Sequence, residues 1–338
     1  TSIDGMPVRS LAKNWSVTFN HNRMSMPVKA SGRAIKKALA EDRPDILHVM
    51  VPYSPLMAGK VIRAFKKLGP VVGTFHIMPA GGMASVGSRL LALASPGLKS
   101  FATHIAVSEP AARFARTHFG IDASVLPNVI SIKDFKAKPE RPALAAGKIH
   151  VVFLGRLVHR KGCLVLLQAL DLIRAQGQLD DIHVTILGDG PDRIALEQFA
   201  ADHKLLGHVT FHGFVEESAK AGILASADVA VFPSLGGESF GIVLLEAMAA
   251  GAGAVIGGNN PGYNSVLSLC GTPEALFAPN PNDVAHALTR FALNESDRRA
   301  LHAKQQAAIK QFDVAVVGKR LLAIYNDAIA NYRSSVDN

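Results

Sequence analysis

The sequence predicts an α/β chain made of two Rossmann-like domains, and three observations carry that prediction. Short apolar runs alternate with helical stretches along most of the 338 residues. The runs end in Gly, Pro or a charged residue, where loops from strand to helix would begin. The alternation also comes in two series, separated by a stretch with no apolar period.

The first series has three candidate strands, Ile46–Met50, Val71–His76 and His104–Ser108, with helical sequence at Leu56–Leu68 and Glu109–Phe119. Together they define a first domain over residues 1–132. Such a domain should open with a strand, a Gly-rich turn and a helix. Residues 1–45 show no such unit, so the first domain is expected to be an N-terminal truncation or, alternatively, to be built on a smaller sheet. Residues 133–148 are rich in Pro, Ala and Lys and are expected to be a linker. The second domain, 149–312, has five strand candidates in HVVFLGR, HVTILGDG, HVTFHGF, VAVFPS and AVIGG. Helical sequence follows from Asn282 to Gln311, with a break near Asn294–Ser296. A final helix within 313–338 is expected to pack back on the first domain.

A hydrophobic fraction of 49% supplies two cores and excludes a disordered or fibrous chain. No apolar run approaches the roughly 18–20 residues that cross a bilayer. The opening TSIDGMPVRSLAKNW has neither the basic start nor the apolar stretch of a secretory signal, so a cytoplasmic location is expected. The two cysteines, Cys163 and Cys270, lie in no metal-binding or redox spacing and read as reduced bystanders. A net charge of +9 favours anionic partners. Nucleic acid is disfavoured, because aromatic residues are only 6% of the chain and no zinc-finger or RNA-binding signature occurs.

Ligands of open parallel sheets bind beyond the carboxyl ends of the strands, and the unusual residues cluster there. The strongest motif is GGESFGIVLLEAMAAG, Gly236 to Gly251. A strand, a Gly-rich turn and a helix start make an anion site, with backbone N–H groups of Ser239, Phe240, Gly241 and Ile242 suited to a phosphate or diphosphate. Glu238 and Glu246 flank that turn. Apolar neighbours surround Glu246, so its charge needs a partner. In FLGRLVHRKG, Arg156 and Lys161 follow a strand and suit a departing diphosphate without a metal; exposed loop charges at Arg160 and Lys161 are the plainer alternative. Gly188 and Gly190 in ILGDGP leave room for a nucleotide or simply make a turn. His76 ends its strand where an imidazole could donate to a sugar hydroxyl, although a lone His is more often structural. No metal-ligand spacing occurs, and neither a metal nor a cofactor is expected. Lys29–Glu41 reads as a basic amphipathic helix, with Ala30, Ala34, Ile35, Ala38 and Leu39 on one stripe. Its Lys29, Arg33, Lys36 and Lys37 suit an anionic bilayer or an ordinary solvated face.

These motifs together resemble the retaining glycosyltransferase family 4, through G-R followed by R-K-G, the G-x-G turn and the E-x7-E element opened by GGESFG. Within it the chain looks most like bacterial phosphatidylinositol mannosyltransferases, through DILH, TFH, IAVS, LPN, FLGR and GGESFGIVLLEAMAAG. The resemblance implies a GT-B fold, its two domains facing a cleft, and a retaining, metal-independent hexosyltransferase. It implies a nucleotide diphosphate sugar as donor, GDP-mannose favoured and UDP-hexose possible. The acceptor would be a lipid such as phosphatidylinositol, at the inner face of the cell membrane. Arg156 and Lys161 would hold the diphosphate; Glu238, Phe240, Gly241 and Ile242 the sugar; Glu246 the ribose; and His76 would lie near the reaction centre. Gly155, Gly188, Gly190, Ser239 and Val243 complete the implied donor set. Two alternatives are a catalytically impaired binder of nucleotide sugars and membranes, and a GT-B nucleotide-sugar epimerase. A dehydrogenase is disfavoured, since no strand leads into G-x-G-x-x-G with an acidic residue about 20 positions on.

Overall fold

The computed structural model describes residues 2–3, 6–19, 22–28, 30–50, 52, 57–76, 96–143 and 146–336. The chain divides into two compact units, Thr1–Leu126 with Lys319–Asn338, and Pro127–Gly318.

The first unit opens with a two-residue pair, β1 (Ser2–Ile3) and β2 (Met6–Pro7), and an antiparallel hairpin, β3 (Lys13–Phe19) and β4 (Asn22–Val28). In place of the expected opening strand, Gly-rich turn and helix, these residues form a hairpin, whose signal is a period of two in which Trp15, Val17 and Phe19 alternate with Asn14, Ser16 and Thr18. Helix α1 (Gly32–Asp42) starts where Ser31 Oγ accepts the Ala34 N–H and packs against α2 (Met57–Phe65). A parallel sheet runs in sequence order through β5 (Leu47–Met50), β6 (Val71–Phe75), β7 (Thr103–Ala106) and β8 (Ser124–Val125). Between β7 and β8, α3 (Glu109–Phe119) is capped by Ser108 and ends at Gly120, whose φ of 63° suits a residue without Cβ.

The second unit carries a six-stranded, all-parallel sheet. Its strands are β9 (Ile149–Leu154), β10 (Ile182–Leu187), β11 (Val209–Gly213), β12 (Val229–Phe232), β13 (Ala254–Gly258) and β14 (Leu276–Phe277). Helices α4 (Cys163–Ala175), α5 (Arg193–Asp202), α6 (Glu217–Ala225), α7 (Ile242–Ala250) and α8 (Pro261–Leu269) connect them. The central strands are buried on both faces, which is why they read as largely apolar runs, with His150, His183 and Thr185 buried among them. Helices α9 (Pro281–Leu293) and α10 (Glu295–Ala308) meet at Asn294, whose side chain accepts the Asp297 N–H.

Residues 133–148 differ from the expected linker. Phe135 is buried beneath the Lys220 ammonium, Glu140 N–H donates to Gly222 O, and Arg141 donates to Lys148 O and Asp228 Oδ2. One aromatic and one guanidinium are enough to strap a compositionally loop-like segment onto the second unit. The terminal helix α11 (Val314–Val336) starts in the second unit, and its residues 319–336 belong to the first. There Tyr325 Oη and His48 Nδ1 share a 2.6 Å hydrogen bond.

Candidate active site

In the second unit's sheet the strand order is β11-β10-β9-β12-β13-β14. The chain builds outward from β9 in one direction, then returns to add β12 on the other side. Between β9 and β12 the loops at the carboxyl ends diverge, and this switch point is where open α/β sheets accommodate ligands. The loop after β9 carries Gly155, Arg156 and the 3-10 turn His159–Lys161; the loop after β12 carries the Gly-rich turn. The two loops are sewn together by backbone, Leu235 N–H donating to Arg160 O at 2.8 Å and Ser234 Oγ to the same oxygen at 3.1 Å. Gly162 sits at φ 74°, and a Cβ there would lie 2.0 Å from Pro233 O, so no larger residue fits.

Glu238 is the electrostatic centre of this site. Its Oε1 accepts from Lys161 Nζ at 2.7 Å, Arg160 at 2.9 Å and Ser234 Oγ at 3.0 Å. The Glu238 and Lys161 side chains are only 12% and 18% exposed, so their pairing is shielded from solvent. Arg160 is more open at 43%, but it is not the unengaged loop charge that spacing alone allows. Sequence reasoning gave neither Arg160 nor Ser234 a role at Glu238. The R-K-G spacing, with both cations four to five residues after Arg156, was the available signal.

Helix α7 begins beside this cluster at Gly241, which has φ 106° and no side-chain cap. A Cβ on Gly241 would meet the Tyr263 ring at 2.5 Å. Tyr263 is buried, and burial holds its hydroxyl well above the usual phenol range. The start of α8 closes from the other side, where Asn260 caps Tyr263 N–H and a Cβ on Gly262 would collide with Glu238 O at 2.4 Å. Phe240 is 2% exposed and packs edge-on against Phe312. Its ring belongs to the core, so only its backbone is available to a ligand. Ser239 and Val243 are half-buried and Ile242 is exposed on the first turn.

Glu246 lies one turn further along α7, half-buried, with Lys220 Nζ at 3.0 Å; Lys220 also pairs with Glu217 at 2.5 Å. The partner demanded by its apolar neighbours is thus Lys220 on α6, at a sequence distance no local pattern reveals. Burial raises the Glu246 carboxyl and Lys220 pulls it partly back. Burial alone would lower the Lys220 ammonium, yet its two carboxylates outweigh that and raise it.

Gly188 and Gly190 have a reason that needs no ligand. A Cβ on Gly188 would lie 2.0 Å from Gly155 O, and one on Gly190 2.2 Å from Leu157 O. Leu157 N–H donates to Asp189 O, and Gly155 N–H to Leu187 O. The G-x-G turn therefore locks the loop that presents Arg156, which is exposed. Cys163 and Cys270 are buried; burial raises the Cys163 thiol well above its ordinary range and pushes Cys270 up to about 12.

His76, in the first unit, follows β6 with a ring nitrogen 3.0 Å from Met50 Sδ, and burial lowers its pKa. On α1, Arg33, Lys36 and Lys37 are exposed while Ile35 and Ala38 are buried and Leu39 is half-buried. Ala34, expected on the apolar stripe, is exposed. The stripe packs inward, leaving a basic face rather than an apolar one for any surface; Lys29 lies outside the described residues. Among the described residues no helix is long and apolar enough to cross a membrane.

Residues 134–308 match the family model described as glycosyl transferases group 1, just over half of the chain. The chain is a group 1 glycosyl transferase. Residues 11–134 of this transferase match the model for glycosyltransferase family 4. It is 33% identical over 298 residues to a phosphatidyl-myo-inositol mannosyltransferase of Mycolicibacterium smegmatis, covering 88% of this chain and 74% of that one. To the protein of the same name from Propionibacterium freudenreichii it is 30% identical, covering 94% and 80%. A glycosyltransferase structure from Rickettsia africae superposes with a TM-score of 0.72 at 16% identity, over 91% and 84% of the chains. Anabaena HepE, solved in complex with UDP, gives 0.67 at 19% identity over 86% and 81%. The transferase has the GT-B fold, with a parallel α/β sheet in each unit.

Proposed function

We propose that this transferase moves a hexose with retention and without a metal, from a nucleotide diphosphate sugar to a lipid-linked acceptor such as phosphatidylinositol. GDP-mannose is the favoured donor and a UDP-hexose the alternative. The work takes place on the anionic inner face of the cell membrane, with the protein peripheral and cytoplasmic. One observation carries the reading: a shielded Lys161–Glu238 pair beside an uncapped helix start, at the switch point of a parallel sheet. The names of the relatives support the acceptor and the sugar.

Lys161, Arg156 and the first backbone N–H groups of α7 stabilise the charge that grows on the departing diphosphate. Glu238 accepts from sugar hydroxyls, and Glu246, held by Lys220, accepts from the ribose. In the first unit, burial lowers the His76 pKa, which suits an imidazole that hydrogen-bonds rather than carries charge. The bond from the anomeric carbon to the phosphate oxygen breaks as the acceptor hydroxyl oxygen bonds to the same face of that carbon. The acceptor proton passes to the departing phosphate oxygen, so no protein nucleophile is required. The exposed Arg33, Lys36 and Lys37 meet acidic headgroups electrostatically, each contributing about 1 kcal/mol near the surface.

The test is transfer from GDP-mannose and UDP-glucose to phosphatidylinositol in vesicles, read by mass spectrometry, with the anomer assigned by NMR. An α-linked glycolipid formed in the presence of EDTA is expected. No glycolipid from either donor sinks the transfer reading, an inverted anomer sinks retention, and a requirement for divalent ions sinks metal independence.

A further inference from the structure

Three donors converge on a single carboxylate oxygen of Glu238, and they are not equivalent. Lys161 Nζ is the closest, at 2.7 Å, and it is also the cation read as the diphosphate ligand. Arg160 at 2.9 Å and Ser234 at 3.0 Å approach the same atom from backbone that is itself fixed. The Arg160 carbonyl accepts from both Leu235 N–H and Ser234 Oγ, so the two loops carry these side chains as one rigid piece. The Arg160 chain also lies along Gly237, with its Cδ 3.8 Å from where a Cβ would stand.

An ammonium shared between a carboxylate and a diphosphate divides its three N–H bonds and its charge between them, so each is held less well than it would be alone. Removing Lys161 from a carboxylate that is 12% exposed leaves a poorly solvated anion unless other donors stay behind. Arg160 and Ser234 are those donors. We propose that the Glu238 carboxylate competes with the donor diphosphate for Lys161, that Lys161 exchanges from it to the phosphate on binding, and that Arg160 with Ser234 are positioning residues holding Glu238 when Lys161 leaves. This rests on the donor site of the preceding subsection and adds to it an exchange and the residues that make it possible. No bond is made or broken in the step; only hydrogen-bond partners change.

The arrangement makes a signed prediction. Replacing Glu238 by Gln removes the competing charge, frees Lys161 and is expected to tighten binding of a bare nucleoside diphosphate, even as sugar transfer fails. Replacing Arg160 by Ala leaves Glu238 more dependent on Lys161 and is expected to weaken that binding. If Arg160 acts through Glu238, its loss has little consequence once residue 238 is uncharged.

The experiment is a double-mutant cycle on the full chain, with wild type, Arg160→Ala, Glu238→Gln and the double variant titrated calorimetrically with GDP and with UDP. Simple loss of positive charge acts in both backgrounds and cancels in the cycle. The expected result is that Arg160→Ala weakens nucleotide binding about tenfold in the wild-type background and less than about twofold beside Glu238→Gln, a coupling typical of contacting groups. Arg160→Lys should restore part of the affinity. Arg160→Ala should lower kcat more than it raises KM for the nucleotide sugar. An equal loss in both backgrounds would mean that Arg160 touches the phosphates directly, and would overturn the exchange while leaving the donor site intact. Failure of all four forms to bind either nucleotide would remove the donor site and this inference together.

Discussion

Two basic regions of the transferase handle similar charges in opposite ways. In the loop after β9, Arg160 and Lys161 are drawn onto Glu238 within a pocket of backbone stitched by glycines. On α1, Arg33, Lys36 and Lys37 point outward, and the acidic residues nearby, Glu41 and Asp42, are engaged by Arg9 at 2.6 and 2.7 Å. Lys37 reaches Glu41 only at 3.7 Å. Partial burial turns a cation into a directed hydrogen-bond donor with one partner; exposure leaves it as part of a diffuse field that salt screens. The first arrangement suits a particular anion, the second any anionic surface.

The largest effect that would break this contrast is structural. Gly188→Ala forces a Cβ to within 2.0 Å of Gly155 O at φ 133°, and is expected to destabilise the second unit by about 4 kcal/mol or more, read by urea unfolding. A cost below about 1 kcal/mol would mean that the loops are not locked as described. Glu238→Ala comes next. It should leave the fold intact and reduce transfer by about a hundredfold to a thousandfold, equivalent to about 3–4 kcal/mol; unchanged turnover would remove Glu238 from the site.

Lys220→Met sharpens the comparison at a second half-buried carboxylate. It leaves Glu246 without its partner, and the expected cost is about 2 kcal/mol at pH 7. The sign with pH follows from the raised carboxyl. A group held above its unfolded value favours folding while protonated, so that contribution is present below about pH 4 and is lost as pH rises through the folded value. Lys220→Met should therefore lose stability between acid and neutral pH more steeply than wild type, measured by thermal melts across that range. In wild type the raised Lys220 ammonium has the same direction at the alkaline end: its contribution holds below about pH 10 and disappears as the amine titrates. A flat difference between the two melting profiles would remove the pair from the stability of the second unit.

The smallest effects belong to α1. Single replacement of Arg33, Lys36 or Lys37 by Ala should change stability by less than about 0.5 kcal/mol and weaken binding to acidic vesicles by about 1 kcal/mol. That loss should fade in high salt. Binding that survives high salt and all three replacements would mean that contacts other than the basic face carry the membrane.

The two-domain α/β architecture was legible because parallel strands in a covered sheet are mostly apolar, and five of the second unit's six strands show such runs despite His and Thr within three of them. The sixth, Leu276–Phe277, is too short to show a pattern. The hairpin Lys13–Phe19 and Asn22–Val28 was missed because its signal is alternation rather than a run. Glu238 and Lys161 could be picked out by residue type and position after a strand. Composition made 133–148 look like a linker, whereas Phe135 and Arg141 bind it to elements more than eighty residues away.

Local periodicity, and which residues tolerate positive φ, were enough to place most of the parallel strands, the glycine-rich turn and the charged residues at strand ends. Tertiary structure alone decided how those charges are paired. Glu238 meets Arg160 and Lys161 across nearly eighty residues, and Lys220 meets Glu246 across 26. Gly188 owes its identity to a carbonyl on a neighbouring loop. The energy of a half-buried charge depends on the few ångströms around it, and only the packing of one strand order against another sets what those ångströms contain.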